Sequence, residues 1–254
     1  MAVPVPRVNV IYEGFCWSVT GRLGLPYGHR MRVRDTLLIL LTVASGAVDA
    51  VCFLGIGQVF TAVVTGNLVL LGLGAGTGDW PAVIRSAVAI AGYVTGVLLS
   101  ARLVPKATDT DPWPRRTALA VYGEAALQLA VAIAWLLLNG HPGDAARYPM
   151  IIAYGIAMGV QSTVAQAVGV HGVSTTYVTG TLTGLITDLL TGRGGGRWRR
   201  ALVVLSVVTG AIATALLLRF APPVAPFLPA TLTLGTAATA TIVFRHAHHR
   251  HAGT

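Results

Sequence analysis

From Thr36 to Phe244 the chain is a succession of eight apolar stretches with little room between them, at 36–56, 58–76, 82–104, 117–138, 149–168, 173–192, 200–219 and 224–244. Each is close to the ~20 residues that cross a ~30 Å hydrocarbon layer as an α-helix. None has the period-two alternation of a membrane barrel strand, so helices are the only spanning structure available. Charged residues make up 11% of the chain and hydrophobic ones 54%, whereas a soluble domain carries roughly 25% charged. Mean hydropathy is +0.70. These features predict an all-α polytopic integral membrane protein and exclude a soluble globule, a disordered chain, a disulfide scaffold and a collagen-like rod.

Two of the stretches are weak as spans. Segment 58–76 carries Gln58, Asn67 and several glycines, and segment 173–192 is rich in Thr and holds Asp188. Neither follows a proper linker. Gly55-Ile56-Gly57 and Gly169-Val170-His171-Gly172 instead predict interruptions inside membrane-embedded elements, which are tolerated only where the backbone is buried in protein or lines a wet cavity.

A shift of 114 residues brings the two halves into register. Val64-Thr65-Gly66 meets Val178-Thr179-Gly180, and Val94-Thr95-Gly96 meets Val208-Thr209-Gly210. Over 60–104 against 174–218, fifteen of forty-five positions are identical. Such self-similarity fixes architecture. Basic flanks then alternate in opposite senses in the two halves. The leading flank is rich in the first (Arg30, Arg32, Arg34) and poor in the second (Arg147), and the next is poor (Arg85), then rich (Arg193, Arg197, Arg199, Arg200). The third is rich (Arg102, Lys106, Arg115, Arg116), then poor (Arg219), and the exit is poor, then rich (Arg245, Arg250). Because bases mark the cytoplasmic face, the swap predicts two inverted three-crossing repeats, each with a broken or re-entrant first element and both termini cytoplasmic. Eight helices in two parallel repeats are the alternative.

The expected organisation is one transmembrane domain at 36–244, with repeat 1 at 36–138 and repeat 2 at 149–244. It is preceded by a disordered or mis-annotated tail at 1–35, for which Met31 is an alternative start, and followed by a basic His/Arg tail at 245–254. No signal peptide is expected in the tail, which lacks an apolar core segment. The formal charge is +9, but the bases fall between apolar runs, where topology demands them, so nucleic-acid binding is not indicated. Cys16 and Cys52 form neither a metal motif nor a disulfide framework.

Ser45-Gly46-Ala47-Val48-Asp49-Ala50, followed by Phe60 and Val64-Thr65-Gly66-Asn67, resembles the signature of the YoaK-like family of bacterial multi-span membrane proteins, a family catalogued as a domain of unknown function. The resemblance covers about 36–244. It implies a multi-span inner-membrane protein and carries over no activity.

Candidate chemistry centres on Asp49, deep in an apolar span, where a carboxylate costs about 2.5–3.5 kcal/mol on insertion scales and needs a reason to persist. It is either a proton, cation or substrate site, or a hydrogen-bonded tie within the broken element. Thr65, Gly66 and Asn67 and their repeat equivalents Thr179, Gly180 and Thr181 combine close backbone approach with hydrogen-bonding groups. They form either site walls or helix packing. Gln161 and Ser162, with Gln166, align with the region of Asp49 and leave the second half neutral there. Glu124 is an acid one to two turns into its span; it either reaches the interface or, as an intramembrane acid, is a functional candidate. Asp188 is near a span end, His171 lies in the second break, and His246, His248, His249 and His251 belong to a solvated tail near anionic lipid. Bases are expected in the flanks and not within the spans, which disfavours a carrier of strongly anionic solutes. Catalytic signatures, cofactor fingerprints and metal motifs are absent. The expected function is secondary transport or permeation of a small neutral or cationic solute, with Asp49 as the coupling or ligand group. A non-transporting membrane scaffold or partner-binding subunit is the alternative. Expected partners are membrane lipids, the unknown solute and a further copy of the chain.

Overall fold

The computed structural model describes residues 27–108, 111–168, 178–191 and 197–248. Among them the chain forms eight α-helices and no strand. They are α1 (Tyr27–Val51), α2 (Val64–Thr77), α3 (Trp80–Ala101), α4 (Arg115–Leu137), α5 (Asp144–Val168), α6 (Val178–Thr191), α7 (Arg197–Phe220) and α8 (Phe227–His248). A π-helical turn, Cys52–Gly57, prolongs α1, and a short 3₁₀ turn, Pro222–Val224, precedes α8. Helix α1 begins ahead of Thr36, and helix α8 continues to His248, past the apolar span that ends at Phe244. The predicted break at Gly169–Gly172, with His171, lies outside the described residues, as do His249 and His251.

Six of the described helices are long and apolar enough to cross a bilayer, three in each half. Helix α2 has 14 residues, or about 21 Å at 1.5 Å per residue, too short for a ~30 Å core, and the described part of α6 has 14 as well. The described residues therefore supply six crossings by length. Parallel repeats fail on packing. Equivalent helices of the two halves run antiparallel: Gln161 of α5 bonds to Leu41 of α1, while Gly57, at the far end of the same element, lies against Ile151. Helices α4 and α8 behave alike, since Gln128 meets Thr233 and Tyr122 meets Thr241.

The interfaces obey the same two-fold relation. The most extensive are α3 against α5 and α1 against α7, which exchange when the halves are exchanged; α4 against α5 and α8 against α1 form a second such pair, and α2 on α3 and α6 on α7 a third. Helices α1 and α5 thus form the centre, and the first helix of each half packs on the third element of the other half. Glycines make these crossings close. A Cβ on Gly96 would sit 2.2 Å from the Ile156 carbonyl oxygen, and one on Gly210 would sit 2.0 Å from that of Val43. Small residues at such positions are how helices associate where lipid offers no hydrophobic drive. One apolar core, at the base-poor end, gathers Val48, Cys52, Ile56, Trp135, Ile151 and Tyr154. A second, at the base-rich end, gathers Leu37, Leu41, Val121, Val164 and Phe244.

Candidate functional site

The break in the first half is built from the side chains the sequence singles out. Past Gly57, Gln58 adopts a left-handed conformation (φ 56°), and the chain turns back toward the level of Asp49. Asp49 Oδ1 accepts the backbone N–H of Thr61 at 2.7 Å, the N–H of Ala62 at 2.9 Å and the Thr61 hydroxyl at 3.2 Å. Asn67, one turn into α2, accepts the Phe60 N–H at 2.9 Å on its Oδ1 and donates its amide to the Phe60 carbonyl. Two side chains thus satisfy backbone groups that a non-helical segment cannot pair with itself, and in lipid each unpaired group costs several kcal/mol. Hydrogen bonds to a carboxylate are worth about 1.5–3 kcal/mol each, so three of them offset the insertion cost of the acid. Gly66 lies against the Phe60 ring, which stacks on Phe53 at 4.9 Å. A Cβ on Gly55 would come within 2.5 Å of the Trp135 indole, which explains the glycine at the π-turn.

The remaining predicted residues separate. Thr65 and Thr179 are exposed, and Thr181 is buried at the position equivalent to Asn67. Because α2 packs on α3 and α6 on α7, Thr65-Gly66-Asn67 and Thr179-Gly180-Thr181 sit on different flanks of the central pair and do not face one another. Gln161 is fully buried and donates to the Leu41 carbonyl at 2.9 Å, which ties the two central helices together. Ser162 bonds back to Met158 at 2.8 Å. The matched glycine crossings, Gly46 on Val207 and Gly159 on Tyr93, make Ser162 the counterpart of Asp49, so the second half carries a hydroxyl where the first carries an acid.

Glu124 departs from its expected place at the interface. It is fully buried, accepts the Gln128 amide at 2.9 Å, and Gln128 in turn accepts the Thr233 hydroxyl of α8 at 3.0 Å. Its other oxygen is buried without a hydrogen-bond partner among the described residues. Asp188 pairs with Arg200, and Asp35 with Arg199, both at the base-rich end.

The expectation that no base enters a span is overturned. Arg85 lies within α3, its Nε buried and unbonded among the described residues. It lines a half-open pocket of about 320 Å³ between the π-turn, α2 and α3, together with Phe53, Gln58, Thr77, Asp79 and Ser86. In sequence Arg85 counts as a flank because it falls near a span end; only the packing of the π-turn beside it places it against this pocket. Asp49 does not line this cavity. No group of three or more His, Cys, Asp or Glu able to hold a metal occurs among the described residues.

Residues 37–239 match the family described as Protein of unknown function (DUF1275). The chain belongs to this family. It is also 38% identical over 156 residues to the UPF0700 transmembrane protein YoaK of Bacillus subtilis (strain 168), an alignment covering 61% of this chain and 67% of that protein. No solved structure matches. The resemblance carried by Gly46, Asp49 and the Thr65-Gly66-Asn67 element therefore holds, and within this chain two of its polar members, Asp49 and Asn67, hold the break.

Proposed function

We propose that this protein is a secondary transporter or permease for a small solute in the bacterial inner membrane, driven by protons or by the solute gradient, with both termini cytoplasmic. One observation carries the reading: the first element of the first half is interrupted by a π-turn and a re-entrant segment whose backbone N–H groups are held by the side chains of Asp49 and Asn67, within two halves whose equivalent helices run antiparallel. Inverted repeats with discontinuous helices are the architecture in which one half rocks against the other around a fixed site. Asp49 is the proposed coupling or ligand group, because its bonds to Thr61 and Ala62 are the ones a movement of the break would exchange. Glu124, with an unbonded oxygen between α4 and α8, is the second acid suited to this role. Concentration of bases at one end of the bundle supports the orientation. The reading assigns no catalysis and no cofactor.

A specific observation favours a second reading. Asp49 is already satisfied inside the protein, as a purely structural tie would be, and the chain would then serve as a membrane scaffold or partner-binding subunit. Proteoliposomes loaded with a solute panel separate the two. Carriage predicts saturable uptake that Asp49→Asn slows or uncouples from the proton gradient. Absence of flux for every solute, with Asp49→Asn lowering only thermal stability, would establish the scaffold reading instead.

A further inference from the structure

The inverted repeat makes the two halves controls for each other, and they differ sharply at one place. Under the 114-residue shift, Arg85 corresponds to Arg199, Ser86 to Arg200 and Gly74 to Asp188. In the second half the two bases are neutralised: Arg199 pairs with Asp35 of α1, and Arg200 pairs with Asp188 of α6. In the first half both carboxylates are missing. Gly74 stands where Asp188 would be, and the α5 position equivalent to Asp35, offset by the 113 residues that relate Gly46 to Gly159, is Tyr148. What remains is the half-open pocket of about 320 Å³ against Arg85.

The polar groups around this space are themselves unmatched. Ser86 is 1% exposed and its hydroxyl has no partner among the described residues, and neither does Arg85 Nε. No ion pair involving Arg85 exists among the described residues. The stem of Arg85 is fixed by the π-turn, since a Cβ on Gly57 would lie 3.0 Å from Arg85 Cδ. Thr77 and Gln58 complete the polar wall. Asp79, at the rim, is exposed and caps α3 by accepting the Ala82 N–H at 3.1 Å. One acid at the mouth admits a singly charged anion more readily than a multiply charged one.

We propose that this pocket binds a singly charged oxyanion, a carboxylate or a phosphodiester, which takes against Arg85 and Ser86 the place that Asp35 and Asp188 occupy against Arg199 and Arg200. A guanidinium presents parallel N–H groups that match a two-oxygen anion, and the serine hydroxyl adds a third donor. The anion can come from a soluble monocarboxylate or from the headgroup of an anionic lipid at the base-poor face. The site stands on its own geometry; if the permease reading holds, it is the vestibule on that face.

Equilibrium binding tests it without any flux measurement. Purified full-length protein in neutral detergent is titrated calorimetrically with acetate, lactate and inorganic phosphate, and the same protein is examined by native mass spectrometry with phosphatidylglycerol against phosphatidylcholine. We expect one of these oxyanion probes to bind, with Arg85→Gln weakening it about tenfold or more and Ser86→Ala weakening it less, as hydrogen bonds to charge differ. Arg85-dependent binding of acetate, lactate or phosphate identifies a solute site, and Arg85-dependent retention of phosphatidylglycerol alone identifies a lipid site. Thermal stability of each variant serves as the fold check, and Ser86→Ala remains available should Arg85→Gln misfold. If no probe binds, or binding is unchanged in both variants, the proposal is overturned, whatever the flux assay shows.

Discussion

Replacing Asp49 by alanine isolates the contribution of one side chain to holding the break. The substitution removes the acceptor of the Thr61 and Ala62 N–H groups, which are 0% and 7% exposed by residue and have no water to turn to. An unsatisfied buried donor costs about 1–3 kcal/mol, so the re-entrant segment should lose about 2–6 kcal/mol. Asparagine keeps a carbonyl oxygen at the same point and gives up only the charge, for which we expect about 1 kcal/mol. Cys52 makes this measurable. It is fully buried, one turn from Asp49, with the Thr61 hydroxyl 3.9 Å from its sulfur. In a Cys16→Ser background, its reaction with a maleimide reports opening of the segment. At tenfold per 1.4 kcal/mol, Asp49→Ala should accelerate labelling by about 30-fold or more under conditions where the helical circular dichroism is unchanged, and Asp49→Asn by less than tenfold. Equal rates in the two variants, or an alanine variant as slow as wild type, would refute the assignment of Asp49 as the tie.

Three further outcomes are expected. Gly210→Ala and Gly96→Ala place a Cβ 2.0 and 2.2 Å from a facing carbonyl oxygen, an overpacking worth about 1–3 kcal/mol, so melting in detergent should fall for both. Gly72→Ala, where nothing lies within 4 Å, should leave it unchanged or raise it. Glu124→Ala strands the Gln128 amide and should destabilise the chain by about 1–3 kcal/mol more than Glu124→Gln, which keeps the acceptor; denaturation of the two variants side by side checks this. Single cysteines at Lys106 and Asp144 should label from opposite sides of the membrane, with an impermeant reagent on intact cells reaching position 144 and not position 106. Labelling of both from one side would sink the six-crossing topology.

The sequence by itself determined that the chain crosses the membrane as helices and how its basic flanks alternate, and left six and eight crossings open. Run length against bilayer thickness and the placement of bases at span ends are local quantities, each read from a window of about twenty residues. The repeat was legible for the same reason, and its flank-by-flank charge swap predicted the antiparallel relation that Gln161–Leu41 and Gln128–Thr233 display. Polar residues in apolar runs marked Asp49, Asn67 and Gln161 as places where something must compensate. Only the tertiary structure decided what does. Thr61, the partner of Asp49, is an ordinary threonine in sequence and becomes a donor because the π-turn sends the chain back on itself. Glu124 looked free to reach the interface and is enclosed because α8, more than a hundred residues away, covers it. Arg85 and Arg199 are the same residue in the two halves of the repeat, yet one is paired and the other faces a cavity. That difference depends on which side chains α1, α2, α5 and α6 bring alongside, and long-range juxtaposition has no period in the sequence from which it could be read.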